Sequence, residues 1–175
     1  MFVRGCLFVR KKLLELFAVF CTGAVGYGTV EVIERGYSHI TMAVLGGLSM
    51  TVIHLLNDDR RSGGSVIVML GLSTAFITSC ELLAGEILNV CMEMHIWSYS
   101  GQPLNFDGVI CPRYTGYWLL LSAFAMLVDD LMRKRLFCQP LDIDYFGIIA
   151  FVRRRRSAKY SLGELQVEGR GELDV

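Results

Sequence analysis

Four long apolar runs set the class of this chain before any motif is considered. Residues 13–33 are interrupted only by Glu15 and Glu31, and residues 40–56 hold a single histidine, His54. Residues 65–90 carry Glu81 and Glu86 late in the run, and residues 114–128 carry no charge at all. A helix crossing the hydrocarbon of a bilayer needs roughly 20 mostly apolar residues, and each run reaches that length once its polar ends enter the interface. Within lipid every backbone donor and acceptor has to be satisfied inside the segment, which selects helices. Composition agrees: 53% of residues are hydrophobic and only 19% charged, more apolar and less charged than a soluble domain. The expected fold is therefore all-α, a polytopic membrane protein with four transmembrane helices at about 13–34, 40–56, 65–90 and 114–132.

The first run is read as a retained helix and not as a cleaved leader. Arg10, Lys11 and Lys12 precede it, but Glu15 stands at its start and no small-x-small cleavage site follows.

Orientation comes from the basic residues, which collect on the cytoplasmic side of membrane helices. Arg4, Arg10, Lys11 and Lys12 precede the first run, and Arg60 and Arg61 separate the second from the third. Arg133, Lys134, Arg135, Arg153, Arg154, Arg155, Arg156, Lys159 and Arg170 follow the fourth. The other side holds only Arg35 and Arg113. Both termini are thus expected in the cytoplasm, with residues 1–12 as a cytoplasmic N-terminus and 13–136 as the transmembrane domain. Residues 137–175 are expected to form an interfacial segment and a disordered basic tail. The basic cluster at 153–156 would contact anionic lipid, at roughly 1 kcal/mol per residue near the surface. Nucleic acid is not an expected partner.

In that frame the polar residues fall into two layers. Glu31 lies 18 residues past Leu13, roughly 27 Å along a helix rising 1.5 Å per residue. The outer layer holds Glu31, Glu34, Arg35, His39, Glu81, Glu86, His95, Asp107 and Arg113, and of these Glu31, Arg35, His39, Glu81 and Asp107 form the candidate substrate or ion site, because ionisable groups at membrane depth usually face a bundle interior or cavity. A purely structural pairing of Glu31 with Arg35 at i,i+4 is the competing reading. The inner layer contains His54, Asn57, Asp58, Asp59, Arg60 and Arg61, and then the inner-face charges Asp129, Asp130 and Arg133.

The connection at 91–113 is expected to be an ordered external loop. Trp97, Tyr99 and Phe106, with Tyr114, Tyr117 and Trp118 just beyond, are too aromatic for a freely solvated linker, and Gln102-Pro103 and Asp107-Gly108 are turn signals. The expectation is a lid folded onto the helix ends, Trp97 packed on the first or third helix, and Asp107 pointing inward beside an arginine or an ion. Cys91 and Cys111 flank this loop and are compatible with a disulfide or with two free thiols.

Several chemistries find no support. No Gly-rich phosphate loop of the form G-x-x-x-x-G-K-[ST] occurs, so any ATP-driven process needs a separate ATPase. No CxxC or Cys/His spacing suggests a metal, and no cofactor or catalytic residue is expected. Three functions are carried forward: a transport component, a structural or interaction membrane protein, and a membrane enzyme using Glu81 and Asp107.

Longer motifs carry a resemblance. Trp97-Ser98-Tyr99-Ser100, Asn105, Gly108 and Ile110-Cys111 resemble the W-D-Y-S…N-x-x-G-x-I-C-L-P signature of a family of small bacterial membrane proteins described as "putative ABC-transporter type IV". Glu31 with Arg35-Gly36-Tyr37-Ser38-His39, Met42 and Leu45-Gly46-Gly47 is similar to its E-x-x-x-R-G-[WY]-S-H-x-x-M-x-x-L-G-G stretch. Glu81 with Gly85 follows its E-x-x-x-G, and Leu127, Asp129-Asp130, Arg133 and Leu136-Phe137 resemble its L-D-D-x-x-R-x-x-L-F ending. Ser98 replaces the usual Asp, and Cys111 runs into Pro112 without the usual Leu. The resemblance covers roughly residues 13–145. It implies a multi-pass protein of the bacterial plasma membrane with a permease-like or accessory role in transport, acting as a homo-oligomer or with a separate membrane or ATPase partner.

Overall fold

The computed structural model describes residues 2–62 and 64–139. These form four long helices: α1 (Phe2–Arg35), α2 (Ile40–Arg61), α3 (Val66–Gly85) and α4 (Pro112–Arg135). α3 continues into a π-helical turn, Glu86–Cys91. All four contain a stretch long and apolar enough to cross a membrane. Even the shortest, α3 with 20 residues before its π-helical extension, measures about 30 Å at 1.5 Å per residue, matching a hydrocarbon core of roughly 30 Å.

The burial pattern is inverted relative to a soluble protein. Arg133, His54, Asn57, Asp129, Asp130, Ser73 and Ser122 are among the most completely buried side chains, while Leu13, Phe17, Ile33, Ile67, Leu120 and Phe124 lie exposed on the flanks. Exposed aliphatic flanks around a polar interior are what hydrocarbon surroundings select. The chain is a multi-pass membrane protein.

The helices run beyond the apolar runs that announce them. α1 already includes Arg10–Lys12, and α2 carries Asn57, Asp58, Asp59, Arg60 and Arg61 in its last turns, where an interhelical loop was expected. Hydropathy marks where hydrocarbon ends, whereas a helix ends where its backbone is capped. α1 stops at Gly36, whose φ of 81° and N–H bond to the Val32 carbonyl (2.9 Å) form a left-handed cap. Pro112 opens α4, where its missing N–H costs nothing.

α1 packs chiefly along α2, and α2 also meets α3 and α4. Small residues permit the α1–α2 approach. A Cβ on Gly23 would collide with Gly46 and Met50, one on Gly46 with Tyr27, and one on Gly47 with the Phe20 ring. Without a hydrophobic driving force in lipid, such close backbone contact supplies much of the association. The interfacial segment and basic tail expected at 137–175 lie, beyond Gln139, outside the described residues.

Candidate functional site

The α3–α4 connection is held at both of its ends. The Asn89 side chain, on the π-helical turn, accepts from the Ile96 N–H (2.7 Å) and donates to the Trp97 carbonyl (2.9 Å). Arg35 reaches over from α1 to donate to the Ile96 carbonyl (3.0 Å). The Trp97 indole donates to the Val109 carbonyl (3.0 Å), and both residues pack onto α3 at Gly85, where a Cβ would strike the Val109 methyl. Asn105 accepts from the Gly108 N–H (3.0 Å) and donates to the Gln102 carbonyl (2.7 Å), and Gly108 takes a φ of 67°. Ser98 and Ser100 hydroxyls lie 3.0 Å apart, and Cys111 is buried at the head of α4. Cys91 and Cys111 are both free thiols.

The loop thereby delivers one side chain to the bundle. The Tyr99 backbone is pinned by its N–H bond to the Gly108 carbonyl (2.7 Å), and its ring stacks on Tyr114 with centroids 4.2 Å apart. Its hydroxyl donates to Glu81 Oε1 (2.8 Å). Burial, and then the neighbouring Glu81 carboxylate, push that hydroxyl far above the ordinary phenol range, so it keeps its proton and stays a donor. Trp118 of α4 donates to the other oxygen, Glu81 Oε2 (2.7 Å). Both partners are neutral, and among the described residues no lysine, arginine or histidine pairs with Glu81.

Glu31 is also buried but fares differently. Arg35, one turn on, forms an ion pair with it, and the Ser38 hydroxyl donates to its second oxygen (2.6 Å). The structural pairing weighed from sequence is therefore present, and it frees Arg35 to clamp the loop. His39 is the N-cap of α2, its Nδ1 accepting from the Thr41 N–H (3.4 Å). Asp107, expected to point inward, is exposed in a left-handed turn with φ 49°. Its Asp-Gly position serves the turn, and Asp107 is not among the residues that line the cavity beside Glu81.

Between the helices lies a cavity of about 190 Å³ with Glu81 in its wall. Tyr27, Met42, Leu45, Leu121 and Val128 contribute to an overwhelmingly apolar lining. It reaches the lipid-facing flank at Gly26, Val30 and Phe124, which are exposed where α1 faces α4. Tyr27 and Trp118, 5.7 Å apart by ring centroid, stand beside Glu81. Ser122, one turn beyond Trp118, is fully buried in the same wall, and its hydroxyl has no hydrogen-bond partner among the described residues.

The opposite end of the bundle is a closed charge cluster. Asp129 Oδ2 accepts from Asn57 (2.6 Å) and from Arg133 Nε (2.7 Å), and Asp130 accepts from Arg60 (2.8 Å) and Arg61 (3.2 Å). Both Asp129 Oδ1 (2.6 Å) and Arg133 Nη2 (2.9 Å) lie close to His54 Nδ1. A guanidinium only donates and a carboxylate only accepts, so one nitrogen cannot serve both. We assign the proton to Nδ1, facing Asp129, because Arg133 Nη2 has a second acceptor in the His54 carbonyl at 2.7 Å. His54 Nε2 then faces Glu15 of α1 at 3.4 Å, in charge-pairing range but without hydrogen-bond geometry.

The family model described as "Putative ABC-transporter type IV" matches residues 27–152. The chain belongs to this family. No curated protein and no solved structure matches it. The type IV family match begins at Tyr27 and includes the docked loop, Glu81, Trp118, and the cluster residues of α2 and α4, but not Glu15.

Sequence reasoning about this type IV family member singled out Glu31, Arg35 and Glu81 but did not connect Tyr27, Trp118 or Ser122 with the cavity that Glu81 lines. A partial signal existed for the last two. Their spacing of four places them on one face of α4, and a serine inside an uncharged apolar run has a polar group to satisfy.

Proposed function

We propose that this chain is the membrane-embedded component of a transport system in the bacterial plasma membrane, permease-like or accessory, with its α3–α4 loop outside. The supporting observation is Glu81: a buried carboxylate held by two neutral donors in the wall of a cavity that opens on the bundle flank. A carboxylate at membrane depth is costly and points to a site more readily than to a scaffold. The charge cluster at 54–61 and 129–133 lies on the cytoplasmic side in this reading, following the distribution of arginines. Lacking a phosphate loop, the chain works with a separate ATPase subunit or as a homo-oligomer, and its basic tail contacts anionic lipid.

Comparative metabolite profiling of cells and medium tests the function. A deletion strain should shift at least one compound between the two compartments, with restoration by wild type and not by Glu81→Gln expressed at equal level. If no compound changes sides, transport is wrong and a structural membrane protein is the better description.

Sidedness has its own test. In a background without native cysteines, Leu104→Cys should react with an impermeant maleimide in intact cells, and Asp59→Cys only after permeabilisation. Both positions are exposed, so accessibility reports the side of the membrane. Reaction of Asp59→Cys in intact cells would reverse the topology.

A further inference from the structure

We infer that the cavity beside Glu81 binds a small lipophilic cation, an ammonium group carrying apolar substituents, which enters from the bilayer. The inference rests on the transport reading and names the chemistry of its ligand. Three independent features converge on it.

The first is charge. Glu81 accepts one hydrogen bond at each oxygen, both from neutral donors. An ionised carboxylate has about four lone-pair sites, so acceptor capacity remains, and a cationic ligand would supply the counter-charge that keeps this buried acid ionised. Glu31, the buried acid of α1, shows the contrast, because Arg35 pairs with it. The protein places a cation on one buried acid and leaves it off the other.

The second is the wall. Tyr27 and Trp118, in contact with each other, line the cavity beside Glu81, and Tyr99 bonds Glu81 itself. Aromatic faces attract ammonium groups, most strongly where water is excluded. The remaining surface is mostly apolar, with hydroxyls only at Thr22, Ser49 and Ser122, and holds no cation that would attract an anion. Ser122 adds a buried hydroxyl without a partner, able to accept from an N–H or to turn its oxygen lone pairs toward a quaternary centre.

The third is size and access. A cavity of about 190 Å³ compares with the roughly 150 Å³ that admits benzene, so it holds one ring with a few methyl groups. Its mouth lies among exposed side chains on the flank, Val30 and Phe124, and not at a polar end of the bundle. A ligand reaching it comes through lipid and therefore carries apolar surface.

Isothermal titration of the full chain in lipid nanodiscs, with empty nanodiscs as blank, tests this with benzyltrimethylammonium as probe. Saturable binding at one site per chain is expected, with neopentylbenzene, the neutral isostere, failing to displace it. Glu81→Gln should weaken binding about tenfold or more, since it removes the charge and keeps an acceptor for Tyr99 or Trp118. Ser122→Leu should abolish it by filling the cavity while leaving Glu81 in place. Absence of saturable binding, equal competition by the neutral isostere, or unchanged affinity in either variant would overturn the proposal. The competition arm uses wild-type protein alone and so decides the matter even if both variants misfold. Because the titration involves no partner and no flux, its failure removes the ligand class, whereas failure of the metabolite profiling removes the transport role.

Discussion

Arg133→Met is expected to destabilise the folded bundle by about 3–5 kcal/mol, the usual consequence of deleting one member of a buried ion pair. Arg133 is almost wholly buried, and its guanidinium donates to Asp129, to Asp58 and to the His54 carbonyl. Removing it strands the Asp129 carboxylate, fully buried, with only His54 and Asn57 as donors. Methionine fills most of the volume, so the loss reads the charge and not a cavity. The companion variant Arg133→Met/Asp129→Asn should recover a large part, because no uncompensated charge then stays inside. Unfolding in mixed detergent micelles, followed by circular dichroism, measures both. A single variant within 1 kcal/mol of wild type would mean that water reaches this cluster and the burial is not real.

Gly85→Val is expected to detach the loop from the bundle. A side chain at this position would occupy the space of the Val109 methyl and crowd the Trp97 ring. Overfilling a packed site usually costs roughly 1–3 kcal/mol, but an added Cβ here overlaps the Val109 methyl outright, and α3 cannot move aside without breaking its own backbone hydrogen bonds. The loop is the side that gives way, at about 1.5–3 kcal/mol for each large apolar side chain it exposes. The readout is local. The chain has two tryptophans, and Trp97 should move from a buried to a water-exposed emission and become quenchable by iodide, while helix content stays. Tyr99 leaves with the loop, so Glu81 loses a donor. Unchanged emission would show that the loop is anchored elsewhere, through Asn89 and Arg35.

The four spans were readable because lipid imposes a length and a polarity on any helix that crosses it. Each candidate span overlaps one apolar run. Helix ends were not readable by that means, and Asn57 and Arg60 belong to α2 instead of a loop because no capping residue stops the helix before Ser62. The Glu31–Arg35 pair was legible from its spacing, being local. The partners of Glu81 were not. Tyr99 is 18 residues away in sequence and Trp118 is 37, and only the docking of the loop and of α4 brings them together. Asp107 shows the opposite error. Asp-Gly is the turn that the dipeptide signals, with both residues in the left-handed region, and its Asp is exposed because the tip of a turn is solvated whatever its charge.

The cluster that closes one end of the bundle also sets an order of events for a chain emerging from the ribosome. Asn57 and Arg60 sit on α2, but the acids that satisfy them, Asp129 and Asp130, sit on α4 and are made some seventy residues later. Until α4 arrives, the Arg60 guanidinium and the Asn57 amide on α2 lack the two carboxylates they meet in the folded bundle, in surroundings where polar groups are costly. α4 has the same difficulty in reverse. Neither helix is comfortable in lipid alone, so the last helix to be synthesised is the one that makes the earlier ones tolerable. A chain that stalls or is cut before α4 carries its own mark of incompleteness, an exposed polar face in the bilayer that membrane proteases and insertion chaperones are suited to detect.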